Sequence, residues 1–211
     1  AHVFREIQLV SIELKKIYRQ TDPTFIYILD QIRDGGIDTP NLARLNSRVG
    51  AELDTSDDKL AITLSTRRDT VDYINGQQLG LLPGEPTVFY GIIEGEFPEN
   101  SLPTPIRLDL KTGAQIIFIK NDKERRWVNG TLGTIIGISN DDGKLYIRTE
   151  DGRDFDVEQE KWSNMRYTFN EREQKIEEEE IGTYVQFPIR LAWAITVHKS
   201  QGLTFRNVHI D

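Results

Sequence analysis

The chain has 211 residues, enough for one large domain or for one domain carrying a smaller one. Its 37% apolar content can fill a core, no run approaches the ~20 apolar residues of a membrane span, and the absence of cysteine excludes a disulfide framework and thiolate metal sites. A formal net charge of −8 argues against a surface that binds nucleic acid everywhere, but leaves room for a narrow basic track. Ala1-His2-Val3-Phe4-Arg5-Glu6 has neither an initiator Met nor the basic-then-apolar order of a secretion signal. It reads as the start of a portion of a longer intracellular protein, cytoplasmic if bacterial.

Residues 9–14 interleave polar and β-branched residues and predict a strand. Tyr18-Arg19-Gln20 follows. Thr21 or Asp22 then caps a helix opened by Pro23, with Phe25, Ile28, Leu29 and Ile32 on one face and Gly35-Gly36 as its stop. A short helix is expected within residues 42–50. The pattern repeats with a strand at 60–64, Ser65-Thr66 and Arg67-Arg68, and a helix at 69–82 holding Val71, Ile74 and Leu79. Strands giving way to helices twice indicate a layered α/β domain.

From Thr87 the character changes. Residues 88–95 predict one strand, 97–105 a loop with three prolines, and 114–119 a buried strand. Short strands at 131–138, 145–149 and 155–157 are then separated by Asn-Gly and Asp-Gly turns, the strongest local hairpin signal. Residues 121–183 read as a small all-β barrel or meander, with strands of the length found in a five-stranded SH3-like barrel. The acidic stretch 171–180 reads as a solvated surface connection. A strand at 181–187 and a helix at 189–200 opened by Pro188 follow, then Gly202 as a helix cap and a last strand at 208–210. The β block therefore reads as an insertion. Residues 1–120 and 184–211 form one discontinuous α/β domain, and 121–183 the inserted barrel.

Several chemistries are missing. There is no Gly-x-x-x-x-Gly-Lys-Ser/Thr phosphate loop and no Asp-Glu pair after an apolar strand to hold Mg²⁺. His2, His198 and His209 are not spaced as a metal site, and no Ser/His/Asp arrangement stands out. This stretch alone should not hydrolyse ATP. The positive signal is Thr196-Val197-His198-Lys199-Ser200-Gln201-Gly202. Helix-dipole and capping arguments account for Lys199 and Gly202. They leave Thr196, Ser200 and Gln201 unexplained. Hydroxyls, an imidazole and an ammonium gathered at one end suit a phosphodiester backbone, which takes most protein contacts to nucleic acid. Trp127 beside Arg125-Arg126 is the nearest candidate for a base-stacking residue, but a hydrophobic plug where barrel meets parent domain is the better reading.

Residues 192–205 resemble motif V of superfamily 1 helicases of the RecD/PIF type, for which Thr-x-His-Lys-Ser-Gln-Gly is a specific string. Tyr18-Arg19-Gln20 before an apolar helix resembles motif IV. Ile62-Thr63-Leu64-Ser65-Thr66-Arg67, running to Tyr73-Ile74-Asn75, resembles motif IVa. Residues 113–122 with Asn129-Gly130 resemble the approach to the family's inserted barrel. The matches fall in the family's order and span nearly the whole chain.

The resemblance implies a superfamily 1B fold: the second RecA-like motor domain, a three-layer α/β domain, with an inserted SH3-like β-barrel. It implies a 5′→3′ DNA helicase, a hydrolase working in DNA repair or recombination, of which this chain is the C-terminal half. ATP and Mg²⁺ would be bound mainly by a first motor domain outside this chain, with none bound by this half alone. Single-stranded DNA and that first domain are the implied partners of a monomeric, non-membrane protein. Arg19 matches the catalytic arginine that reaches the γ-phosphate. Gln20, Gln201 and Gly202 match positions near the nucleotide, and Thr66, Arg67, Thr196, His198, Lys199 and Ser200 match positions facing DNA. A surface ion pair of Arg19 with Asp22 or Asp30 is the plain alternative. Two other functions fit the residues: a non-motor nucleic-acid-binding module, or a protein-interaction module using the barrel.

Overall fold

The computed structural model describes residues 10–12, 20–52 and 60–211. The expected strand at 9–14 lies largely outside the described residues, as do Tyr18 and Arg19. The chain divides into two compact units, 1–52 and 53–211.

In the first unit, helix α1 (Pro23–Arg33) starts as the sequence dictates. The Asp22 carboxylate accepts from the Thr24 and Phe25 amides at 2.8 and 3.2 Å, with Pro23 in the first turn. Helix α2 (Thr39–Asn46) begins earlier than expected, because Asp38 caps it through the Asn41 amide and Pro40 sits in its first turn.

The second unit runs β1 (Ala61–Ser65), α3 (Arg68–Leu81), β2 (Thr87–Tyr90), β3 (Ile92–Gly95), a 3₁₀ turn (Glu99–Ser101), β4 (Arg107–Leu110), β5 (Gln115–Phe118), β6 (Leu132–Ser139), β7 (Lys144–Thr149) and β8 (Asp154–Val157). It continues with β9 (Glu160–Asn170), β10 (Lys175–Gln186), β11 (Ile189–Leu191), β12 (Ala194–Thr196), α4 (Val197–Ser200) and β13 (Asn207–Ile210). Strands β12-β1-β13 form a parallel sheet. Strands β11-β5-β6-β7-β8 form an antiparallel sheet of five, β3-β10-β9 one of three, and β2-β4 a two-stranded ribbon.

Strand β5 joins the two halves of this unit. All four of its residues are buried, and alternation sends Ile116 and Phe118 into the core of the five-stranded sheet and Ile117 into the core under the parallel sheet. Trp127 is 5% exposed and stacks on Phe118 with ring centroids 4.4 Å apart. It is a core residue and offers no face to a base.

Among the described residues the strands of the small β block form open sheets, the five-stranded one including β5 and β11, so a closed barrel is not shown. Three expectations are corrected. The strand expected at 88–95 is two strands in different sheets, parted at Gly91, which packs so closely on the Tyr184 ring that a side chain would collide with it. The acidic stretch is not a connection. Residues 175–180 are the outer part of β10, fully exposed and paired with β9 in a long hairpin. The helix expected at 189–200 is β11, β12 and only one turn, α4. Its apolar spacing is satisfied by extended backbone instead. Ile189, Arg190 and Leu191 pair with β5, and Ala194, Ile195 and Thr196 pair with β1.

Candidate nucleic-acid interface

Two loops leave the same edge of the parallel sheet. Ser65, the last residue of β1, is in register with Thr196, the last residue of β12. Thr66 and Arg67 therefore lie beside Thr196, His198, Lys199 and Ser200, although 130 residues separate Thr66 from Thr196. The carboxyl ends of parallel strands are where open α/β sheets bind ligands.

Side-chain clips hold this edge in place. The Asn75 amide, on α3, donates to the Ala194 carbonyl and accepts from the Ala194 amide, both at 2.9 Å. Among the described residues β12 has no neighbouring strand on that side, and Asn75 takes up the backbone groups of Ala194 there. The Gln115 amide, 6% exposed, donates to the carbonyls of Ala61 and Ala192 at 2.8 Å each and ties β5 to the segments entering β1 and β12. The buried Ser65 hydroxyl accepts from the Arg67 amide and contacts the Asp211 carboxylate at 3.1 Å.

On the first loop, Thr66 and Arg67 are exposed. Arg67 is not free. It pairs with Asp69, which also accepts from the Thr70 amide, and the pairing raises its guanidinium above the usual arginine range. Contact with an anion would compete with Asp69. On the second loop, Thr196 is half-buried while His198 and Lys199 are exposed. The Ser200 hydroxyl donates to the Val197 carbonyl at 2.8 Å, so its oxygen is left to accept. Gln201 and Gly202 form the corner of a turn closed by the Leu203 amide on the Ser200 carbonyl at 3.0 Å. Gly202 sits at φ +83°, as the third residue of a type II turn requires. Gly202 is thus a turn glycine after one helical turn, where a helix cap was expected.

Of the nucleotide-side residues, Gln201 and Gly202 lie on this turn. Gln20 is half-buried in the other unit, and Arg19 lies outside the described residues. Asp22 and Asp30, its alternative partners, cap α1 and pair with Arg33 at 2.9 Å. Sequence reasoning missed two members of the second loop's surroundings, Arg190 and Arg68. Arg190 lines the same cavity as Lys199, and burial followed by the nearby Arg68 pulls its guanidinium below the usual arginine range. The signals available were a lone arginine in an apolar run and the second half of Arg67-Arg68. Among the described residues no three acidic or histidine side chains converge as metal donors. No described helix is long and apolar enough to cross a membrane.

No protein-family model matches the chain. The ATP-dependent DNA helicase Pif1 of Bdellovibrio bacteriovorus is 30% identical over 206 residues, which cover 95% of this chain and 44% of that protein. The human ATP-dependent DNA helicase PIF1 is 29% identical over 208 residues, covering 96% of this chain and 31% of that protein. The chain therefore spans less than half the length of these curated relatives. The crystal structure of Bacteroides sp Pif1 in complex with ADP-AlF4 matches with a TM-score of 0.79 at 34% identity, covering 92% of this chain and 44% of that one. Bacteroides Pif1 bound to ssDNA matches with a TM-score of 0.64 at 36% identity, covering 94% and 45%. In sequence and in fold, over nearly its whole length, the chain is similar to Pif1 helicases, which are superfamily 1B helicases.

Proposed function

We propose that the chain is the DNA-gripping half of an ATP-dependent 5′→3′ DNA helicase, with ATP and Mg²⁺ held mainly by another portion of the same protein. The observation that carries this reading is the register of Ser65 with Thr196, which sets the two family-like loops side by side on one sheet edge. In this reading Thr66, Arg67, Thr196, His198, Lys199 and Ser200 meet the backbone of single-stranded DNA, while Gln201 and Gly202 report on nucleotide bound elsewhere. Arg19 and Gln20 are assigned to the nucleotide side by resemblance alone. The described residues do not suit ATP·Mg²⁺ as its main holder, since they carry neither a phosphate loop nor converging carboxylates. This half is therefore inactive as an ATPase by itself. Residues 121–183 are taken as the insertion and the rest as its host.

The single-stranded DNA named in the Bacteroides structure is the model for the ligand. Fluorescence anisotropy with labelled oligo-dT tests the reading. Binding should be weak and fall as salt rises, because phosphate contacts release counterions. His198→Ala with Lys199→Ala should abolish most of it, and unchanged binding would remove these residues from the interface. A protein-interaction role has one observation in its favour: Tyr167, Phe169 and Ile176 are 58–66% exposed on the acidic β9–β10 hairpin. If that role is the main one, partner capture survives the double substitution and is lost on Phe169→Ser.

A further inference from the structure

We propose that Arg190, together with Lys199 and Arg68, forms a phosphate-binding site beside the two loops, in which the half-buried Arg190 stands behind the exposed Lys199 and Arg68. The proposal rests on the reading that this sheet edge faces a phosphodiester strand, and it adds Arg190 and Arg68 to the residues that hold one.

Arg190 lies on β11, opposite Ile117 of β5, and is half-buried. Its Nε donates to the Pro103 carbonyl at 2.7 Å, and its Nη2 turns to the carbonyls of Pro103 and Leu102. These acceptors orient the guanidinium but bring no negative charge. A guanidinium carries five N–H donors, and the two on Nη1 meet no acceptor among the described residues. No carboxylate stands within ion-pair distance of Arg190 or of Lys199 among the described residues. Two cavities of about 410 and 250 Å³ are both lined by Arg190, Ile195 and Lys199.

The larger cavity extends to Arg68, Asp72 and Thr196. Its cations outnumber its carboxylates, because Arg107 and Asp109 on the far wall pair with each other at 3.0 Å and Asp72 stands only 3.8 Å from Arg68. On a chain of net charge −8 this is a local reversal of sign. The crowding registers on the groups themselves. The Lys199 ammonium is held below the usual lysine range by burial and then by Arg190 and Arg68. Asp72 offsets only part of this charge for Arg190 and Lys199, so an anion that joined the cations would be favoured. A phosphate, with a planar arginine to engage it from one side and an ammonium from the other, matches these donors. The phosphate could belong to the DNA strand or be free, and the two sources are separable.

The test uses the ¹⁵N-labelled 211-residue chain and the Nε–Hε resonance of Arg190, titrated separately with oligo-dT and with inorganic phosphate. Oligo-dT should shift that resonance saturably. Arg190→Gln should weaken oligo-dT binding roughly five- to twentyfold at low salt and lower the salt slope by about 0.7, one phosphate contact on a single strand. Arg190→Lys should recover part of the loss, and Lys175→Gln on the distant hairpin should change nothing. Because Arg190→Gln also frees the Pro103 carbonyl, Arg68→Gln serves as a second variant at an exposed position, with an expected two- to fivefold loss. If both variants fold and bind oligo-dT as tightly as the parent, with the same slope, the pocket is refuted. If His198→Ala alone weakens binding in that case, the DNA reading stands without the pocket. If oligo-dT does not bind but inorganic phosphate shifts Arg190 saturably, the pocket stands for free phosphate and the DNA reading falls. A resonance moved by neither probe refutes the pocket.

Discussion

Asn75 carries the edge of the candidate interface, and its removal gives a measurable consequence. Its amide is the partner of both the N–H and the C=O of Ala194, a residue with no exposed surface. Alanine at position 75 leaves both backbone groups without a partner. An unsatisfied buried group costs about 1–3 kcal/mol, and the partly buried setting of this pair places each near the lower end. Alanine regains roughly 0.5 kcal/mol of helix propensity inside α3. Asn75→Ala should therefore destabilise the protein by about 1.5–2.5 kcal/mol, read as a lower urea midpoint at unchanged slope. Asn75→Asp keeps the acceptor for the Ala194 amide but sets a carboxylate against its carbonyl, so it should be no better than alanine. Oligo-dT affinity of Asn75→Ala should also fall, because Thr196 is two residues beyond the clip. A variant within about 0.5 kcal/mol of the parent, a difference ordinary surface changes give, would mean that another group holds β12.

Three further outcomes follow from the same structure. Gly202→Ala forces φ +83° on a residue with a Cβ; it should cost about 1 kcal/mol and weaken oligo-dT binding, while Gly202→Asn should lose less because Asn tolerates the left-handed region. Trp127→Ala should cost about 3–5 kcal/mol in denaturant unfolding, yet leave the oligo-dT affinity of the folded fraction unchanged, since the ring lies in the core against Phe118. Glu150 has one buried carboxylate oxygen with no hydrogen-bond partner among the described residues, and burial raises its pKa above the ordinary 4.5. The folded protein then keeps a proton that the unfolded chain loses, so the contribution of Glu150 to stability is full below pH 4.5 and is lost as pH rises through the folded value. Glu150→Gln, which cannot ionise, should gain stability relative to the parent between pH 4 and pH 7; thermal unfolding at both values checks the sign.

The legible parts of the fold were those where local signals and tertiary demand agree. Asp22-Pro23 starts α1, the strand–helix step appears at β1 and α3, and the turns at Asn129-Gly130 and Gly152 bound strands that pair as expected. The segment after Pro188 was misread because its alanines and apolar spacing mimic a helix. Its conformation is set by partners far away in sequence: β1, β5, and the side chains of Asn75 and Gln115. No local pattern reports such long-range pairing. Ile195, Thr196 and Val197, three β-branched residues in a row, were the available strand signal. The long hairpin was missed for the opposite reason. Residues 175–180 bury nothing, so no apolar alternation marks them as a strand. At the candidate site, the polar residues of both loops were legible as unusual chemistry. Their adjacency came only from the register of β1 with β12, and Arg190 was hidden in the largely apolar sequence run around it.

Hydrogen–deuterium exchange with and without oligo-dT tests the central claim most directly, because it reads both loops at once. Saturating oligo-dT should slow exchange in residues 65–69 and 196–203 together, with no change along the β9–β10 hairpin. Protection confined to that hairpin, or absent from either loop while DNA is bound, would contradict that claim.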